Sequence, residues 1–198
     1  MTITTRPATA ADLPALAALF REMEAHYDGP AAAPAEAEIV AALQRHVFAP
    51  EARVDLLVAE AGGRLLGFAF ASMLFPAARC TPALFLKDIF VSAGERSRGV
   101  GRALMRAVAR LAASRGCSRI NWNTARDNAA ALAFYAKLGA RPWDNVISLR
   151  VDGPALARLA DEYPPARRFP PGDVSGRYPA FGAGAATSII RSPAPSPR

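Results

Sequence analysis

A run of apolar residues from Leu84 to Val91, interrupted only by Lys87 and Asp88, leads through Ser92–Glu95 into Arg96-Ser97-Arg98-Gly99-Val100-Gly101. Behind that loop Val100, Ala103, Leu104, Ala107, Val108 and Leu111 recur at helical spacing as one apolar stripe. The chain therefore contains a buried strand, a glycine-bearing loop and an amphipathic helix in immediate succession, the mark of a mixed α and β fold. The same succession puts unpaired N–H groups and the positive end of a helix dipole at the loop. Gly99 and Gly101 allow close backbone approach, and Arg96, Arg98 and Arg102 add charge, so the segment reads as a phosphate cradle. It is a poor Walker loop, because Arg102-Ala103 follows Gly101, and it lacks the three glycines of a dinucleotide fingerprint. Taken alone, it reads equally well as a tight turn bearing surface arginines.

The rest of the pattern is mixed α and β. Ile3–Arg6 reads as a short strand, and Thr9 with Asp12 three residues on marks a helix start. Leu13, Leu16, Ala17, Leu19, Phe20 and Met23 then follow helical spacing until Asp28-Gly29-Pro30. A second helix is expected over residues 35–48. Strands are expected over 54–60 and 65–75, joined by a hairpin turn at Gly62-Gly63. Further strands are expected over 120–124 and 146–151, and helices over 129–138 and 154–159.

The last 36 residues differ in kind. They hold eight of the 17 prolines and five arginines against one acid, Asp173. Such a segment cannot bury enough apolar surface to offset the entropy of ordering it. The expected organisation is a folded domain over residues 1–162 and a disordered tail over 163–198. Its arginines are not interleaved with enough aromatics to suggest a nucleic-acid partner. Cys80 and Cys117 fit no zinc spacing, and His26 and His46 are the only histidines, so no metal site is expected. The longest apolar stretch, the fourteen residues between Arg64 and Arg79, is too short to span a bilayer. The N-terminus lacks the apolar run of a signal peptide, and a cytoplasmic protein with no membrane partner is expected.

A second constellation follows the expected strand at 120–124: Asn128-x-x-Ala131-x-x-Phe134-Tyr135-x-x-x-Gly139. By themselves Asn128 reads as a helix N-cap and Tyr135 as a core aromatic. Together with Arg96-x-x-Gly99-x-Gly101 at this separation, the pair resembles the two cofactor motifs of the GNAT N-acetyltransferase superfamily. The resemblance covers roughly residues 2–160 and includes Arg6-Pro7-Ala8-Thr9-Ala10-Ala11-Asp12. Leu86-Lys87-Asp88-Ile89-Phe90-Val91 is most similar to the diamine and polyamine N-acetyltransferase branch.

The resemblance implies a central, mostly antiparallel twisted sheet that splays where acetyl-coenzyme A enters. It implies that the amides of Ser97, Arg98, Gly99, Val100, Gly101 and Arg102, with Arg96, bind the pyrophosphate. Backbone groups of Ile89, Phe90 and Val91 would pair with the pantetheine arm, and one N–H would stabilise the oxyanion. Asn128 and Lys137 would also contact the donor, and Tyr135 would protonate the departing thiolate. Asp88 would serve the amine side, attracting its ammonium group or relaying its proton through water. The implied reaction is direct acetyl transfer to a primary amine of a small molecule in a ternary complex; dimers are common in the resembled branch, and the sequence leaves the oligomeric state open.

Two positions depart from the resembled pattern. Ser97 stands where glycine is usual, and Lys87 stands where the polyamine branch carries the glutamate that draws a proton from the amine. A charged lysine cannot do that and repels a polycation. Polyamine specificity is therefore not carried over, and an acyl-coenzyme A-binding or sensor module without transfer activity stands as the alternative. Glu24 and Asp28, beside His26 and Tyr27, are further candidates for lining the acceptor site.

Overall fold

The computed structural model describes residues 2–29, 31, 33–144 and 146–161, apart from the Asp28 side chain. They fall into two compact units that meet at Arg141 and Pro142. In the first, β1 (Thr4–Pro7), α1 (Leu13–Asp28), α2 (Glu36–His46), β2 (Val54–Ala61), β3 (Arg64–Leu74) and β4 (Ala83–Val91) precede α3 (Val100–Ser114), β5 (Ile120–Asn121) and α4 (Ala129–Ala136). The second contains α5 (Gly153–Asp161).

The five strands form one sheet in the order β1-β2-β3-β4-β5. The first three pairings are antiparallel and the fourth is parallel. Helix α3 lies on one face of the sheet, burying Val100, Leu104, Met105, Val108 and Ala112 with Leu84 and Leu86 of β4. Helices α1 and α2 cover the other face, where Leu16, Met23, Ile39 and Leu43 meet Val58, Phe68 and Phe90. Each large side chain so buried contributes about 1.5–3 kcal/mol. Phe20 of α1 stacks on Phe68 at 4.3 Å between ring centroids.

Local chemistry explains several boundaries. The Asp12 carboxylate accepts from the Thr9 backbone N–H at 2.8 Å and opens a single 3-10 turn that runs into α1. Arg6 donates to both oxygens of Asp12, at 2.7 and 2.8 Å, and to Glu60. This guanidinium holds the Asp12 carboxyl well below the usual carboxylate range. Glu38 accepts from the Ala35 N–H at 3.0 Å and closes the start of α2. Gly62 and Gly63, with φ of 58° and 75°, make the hairpin turn between β2 and β3.

Strands β3 and β4 approach each other unusually closely. A Cβ at Gly67 would lie 2.4 Å from the Phe90 carbonyl oxygen, so the ladder admits only glycine there. Further along, the register slips: Phe70 faces Asp88 while Ala71 faces Leu86, leaving Lys87 as an extra residue. This bulge changes the phase of β4. Leu84 and Leu86 pack on the α3 side before it, and Ile89 and Val91 pack there after it. Phe90 turns to the α1 side, and alternation puts Asp88 on the same side as Phe90.

Two expected strands differ from observation. The strand over 120–124 is only Ile120–Asn121, paired with Leu84 and Phe85. Past the bulge β4 has no partner on this side among the described residues, so nothing extends the ladder. The expected strand over 146–151 does not form. Its alternation survives as exposed apolar side chains, with Ile147 at 83% and Leu149 at 91% relative exposure. A period-two pattern makes a strand only when a neighbour satisfies its N–H and C=O groups. The segment 163–198 lies outside the described residues.

Candidate active site

The site is built where β4 and β5 part. Ser92 donates its backbone N–H to the Leu66 carbonyl at 3.0 Å, which sets the phase of the β3–β4 ladder. Alternation then directs the N–H and C=O of Phe90 to β3, and those of Ile89 and Val91 to the open edge. Of the three backbone positions expected to meet an extended ligand, two present their polar groups outward. Phe90 contributes its buried ring instead, with the Arg96 guanidinium 5.9 Å from the ring centroid.

Two carboxylates shape the loop leaving β4. Glu22 of α1 accepts from the Ser92 hydroxyl at 3.2 Å and from the Ala93 N–H at 2.7 Å. Glu95 accepts from Arg64 at 2.6 Å and from Arg98 at 3.2 Å. Arg96 turns back so that its Nε donates to the Val91 carbonyl at 3.2 Å. Ser97 then adopts φ of 62° and Gly99 φ of 87°, the left-handed region that glycine enters freely and serine at a cost.

Helix α3 begins immediately after Gly99 with no side-chain cap. Its first intrahelical bond runs from the Ala103 N–H to the Gly99 carbonyl, so the amides of Val100, Gly101 and Arg102 have no helical acceptor. Such a terminus suits an anion, and Arg102 is exposed beside it. Gly101 has a second use. A Cβ there would touch the Phe134 ring at 3.4 Å, so this glycine lets α4 pack against the start of α3.

Helix α4 is closed at its start: Asn128 Oδ1 accepts from the Ala131 N–H at 3.0 Å. Asn128 is thus the expected N-cap, and its side-chain NH2 is left over for another acceptor. Tyr135 is half-buried against Trp122 and Phe134, at 5.1 and 5.2 Å between ring centroids. Burial pushes its phenol above the ordinary value, and Tyr27 and Asp88 push it the same way. The structure thus brings Tyr27, Asp88 and Tyr135 into one electrostatic neighbourhood. Lys137 caps the end of α4 and is exposed.

On the α1–α2 side, a groove of about 550 Å3 has an apolar floor that includes Phe20, Ile39 and Phe70. Glu24, Glu38 and Lys87 line it as charged groups. The Lys87 ammonium, raised by the bulge, sits 3.3 Å from an Asp88 carboxylate oxygen. His46 lines the groove too, whereas His26 packs edgewise on Tyr27. No group of three metal-ligating side chains occurs among the described residues, and no helix among them is long and apolar enough to cross a membrane.

Glu22, Glu95 and Trp122 belong to the site yet carry no local sequence signal. Glu22 acts on a turn 71 residues away and Arg64 meets Glu95 across 31 residues, so only the tertiary fold reveals them.

A family model described as Acetyltransferase (GNAT) family matches residues 16–140. L-ornithine N5-acetyltransferase of Arabidopsis thaliana is 30% identical over 115 residues, covering 58% of this chain and 47% of that enzyme. Aminoglycoside N(6')-acetyltransferase type 1 of Salmonella typhimurium is 32% identical over 96 residues, 47% of this chain and 66% of the enzyme. The chain thus spans about half the length of the first relative and somewhat more of the second. Among solved structures, an integron cassette protein from the mobile metagenome of V. cholerae superposes with a TM-score of 0.75 at 29% identity, covering 81% of this chain and 98% of that one. AAC(6')-Iy, bound to the bisubstrate analogue CoA-S-monomethyl-acetylneamine, gives 0.63 at 25% identity, covering 77% and 100%.

Proposed function

Since the chain belongs to the GNAT acetyltransferase family, we propose that it moves an acetyl group from acetyl-coenzyme A to a primary amine of a small molecule. The observation that carries this reading is the uncapped start of α3 lying at the end of a strand whose outer edge is free. One element suits a pyrophosphate and the other suits an amide-bearing arm. The relatives named for ornithine and aminoglycosides act on amine nitrogens, which supports an amine as acceptor.

The donor lies along β4. Its pyrophosphate takes the amides of Ser97 to Arg102, with Arg96 and Arg102 supplying charge. Its pantetheine arm pairs with the outward N–H and C=O of Ile89 and the N–H of Val91, and the NH2 of Asn128 donates to it. An outward N–H of β4 polarises the thioester carbonyl.

The acceptor enters from the groove on the α1–α2 side, where Glu24 and Glu38 favour a cationic molecule and the floor favours its hydrocarbon. Asp88, on that face of β4, takes the proton that the ammonium must lose, through water. The neutral amine nitrogen attacks the carbonyl carbon, the C–N bond forms and the C–S bond breaks. The Tyr135 phenol gives its proton to the departing sulfur. Its raised pKa keeps that proton in place across the neutral range. Holding both reactants in one complex supplies the proximity that direct attack needs.

The test is release of free coenzyme A from acetyl-coenzyme A over a panel of diamines, basic amino acids and aminoglycosides. Acetylated product with at least one amine is expected. Tight binding of acetyl-coenzyme A with no release over the whole panel would instead favour the binding or sensor module, the reading that Lys87 keeps open.

A further inference from the structure

Glu95 is the buried charged residue among the described residues, with 6% relative exposure, and it stands four residues before the mouth of an anion site. A carboxylate so close to a pyrophosphate works against binding unless it is neutralised. Here two guanidinium groups neutralise it, from opposite directions in the chain. Arg64 reaches it at 2.6 Å from the first residue of β3, and Arg98 at 3.2 Å from within the loop. Both arginines are largely exposed on their outer parts while the acid between them is not.

We infer that Glu95 is a positioning residue: its carboxylate latches the phosphate loop to the sheet through Arg64, and fixes Arg98 beside the uncapped start of α3. The inference rests on the donor-site reading above. Ser97 and Gly99 both hold left-handed backbone within four residues of Glu95, and a loop left to itself would lose that arrangement among many others. Locking it before the ligand arrives removes an ordering cost from binding. The chain tolerates an acid here because its two partners leave the cluster with a net positive charge.

The test compares two donors in the full chain. Acetyl-coenzyme A carries the pyrophosphate; S-acetylpantetheine has the same thioester and arm but no pyrophosphate. Glu95→Gln should raise KM for acetyl-coenzyme A about tenfold with kcat little changed, the loss expected for removing one side of a buried charged pair. Its kcat/KM with S-acetylpantetheine should stay within about twofold of the wild type. Should Glu95→Gln fold poorly, Arg64→Met tests the same latch from outside the loop, with a smaller rise on acetyl-coenzyme A alone. The double variant should be no worse than Glu95→Gln, because Arg64→Met breaks one of the two contacts that Glu95→Gln already removes. Equal losses on the two donors would reduce Glu95 to a residue of general stability and overturn the inference. So would an unchanged KM. If the wild-type chain uses neither donor, the donor-site reading itself fails and takes this inference with it.

Discussion

Helices α3 and α4 start differently. The first turn of α3 has no side-chain acceptor and follows a left-handed glycine. The first turn of α4 is closed by its own asparagine at 3.0 Å. The open one is free to take an anion from outside; the closed one needs none and carries Tyr135 instead. The two helices touch through Gly101 and Phe134. On the proposed function, α3 would set affinity for the donor and α4 turnover.

Substitutions can break that division. The largest effect is expected from Tyr135→Phe, which should lower kcat about a hundredfold, as loss of a general acid does, while KM for the donor holds in steady-state kinetics. Gly99→Asp should act on the other helix. Strain at a φ of 87° and a carboxylate at the anion site should together weaken donor binding about thirtyfold by calorimetry. If Tyr135→Phe moved KM, or Gly99→Asp moved only kcat, the division would be wrong.

Smaller changes sharpen it. Asn128→Ala should cost about 1 kcal/mol in chemical denaturation by uncapping α4. Asn128→Asp keeps the capping oxygen and loses the NH2, so stability should hold while donor KM rises about fivefold. The pH profile should show the direction of the Tyr135 shift. Because its folded value is raised, the group loses its proton later than a free phenol, so the alkaline fall in kcat should come at higher pH than a free phenol would give. A fall centred well below that would assign the acid role elsewhere. Least of all, Ser97→Gly should relieve left-handed strain, raising stability by about 1 kcal/mol or less with donor KM unchanged.

Much of this was legible in the chain. The Val100–Leu111 stripe, the Gly62-Gly63 turn and the Asn128 cap are local statements, each decided by residues within a turn or two. The resemblance singled out Tyr135 and Asp88 separately; their electrostatic grouping appears only in the folded chain. What was not legible depends on register and distance. The bulge at Lys87 is a one-residue slip between two apolar strands, and apolar runs carry little information about register. Glu22 and Glu95 take their meaning from partners 70 and 31 residues away. Residues 146–151 show the converse. Their alternation is clear, but alternation records what a segment suits, and pairing is decided by the rest of the molecule.

Gly67 lies on β3, across the ladder from the outward groups of Ile89 and Val91, yet a methyl group there would collide with the Phe90 carbonyl. The only relief is for β4 to move outward, carrying Ile89 and Val91 with it. In a saturation scan of the gene this position should therefore score with the essential ones, tolerating no replacement. A map of functional sensitivity drawn over the molecule would then extend one strand deeper than the site itself.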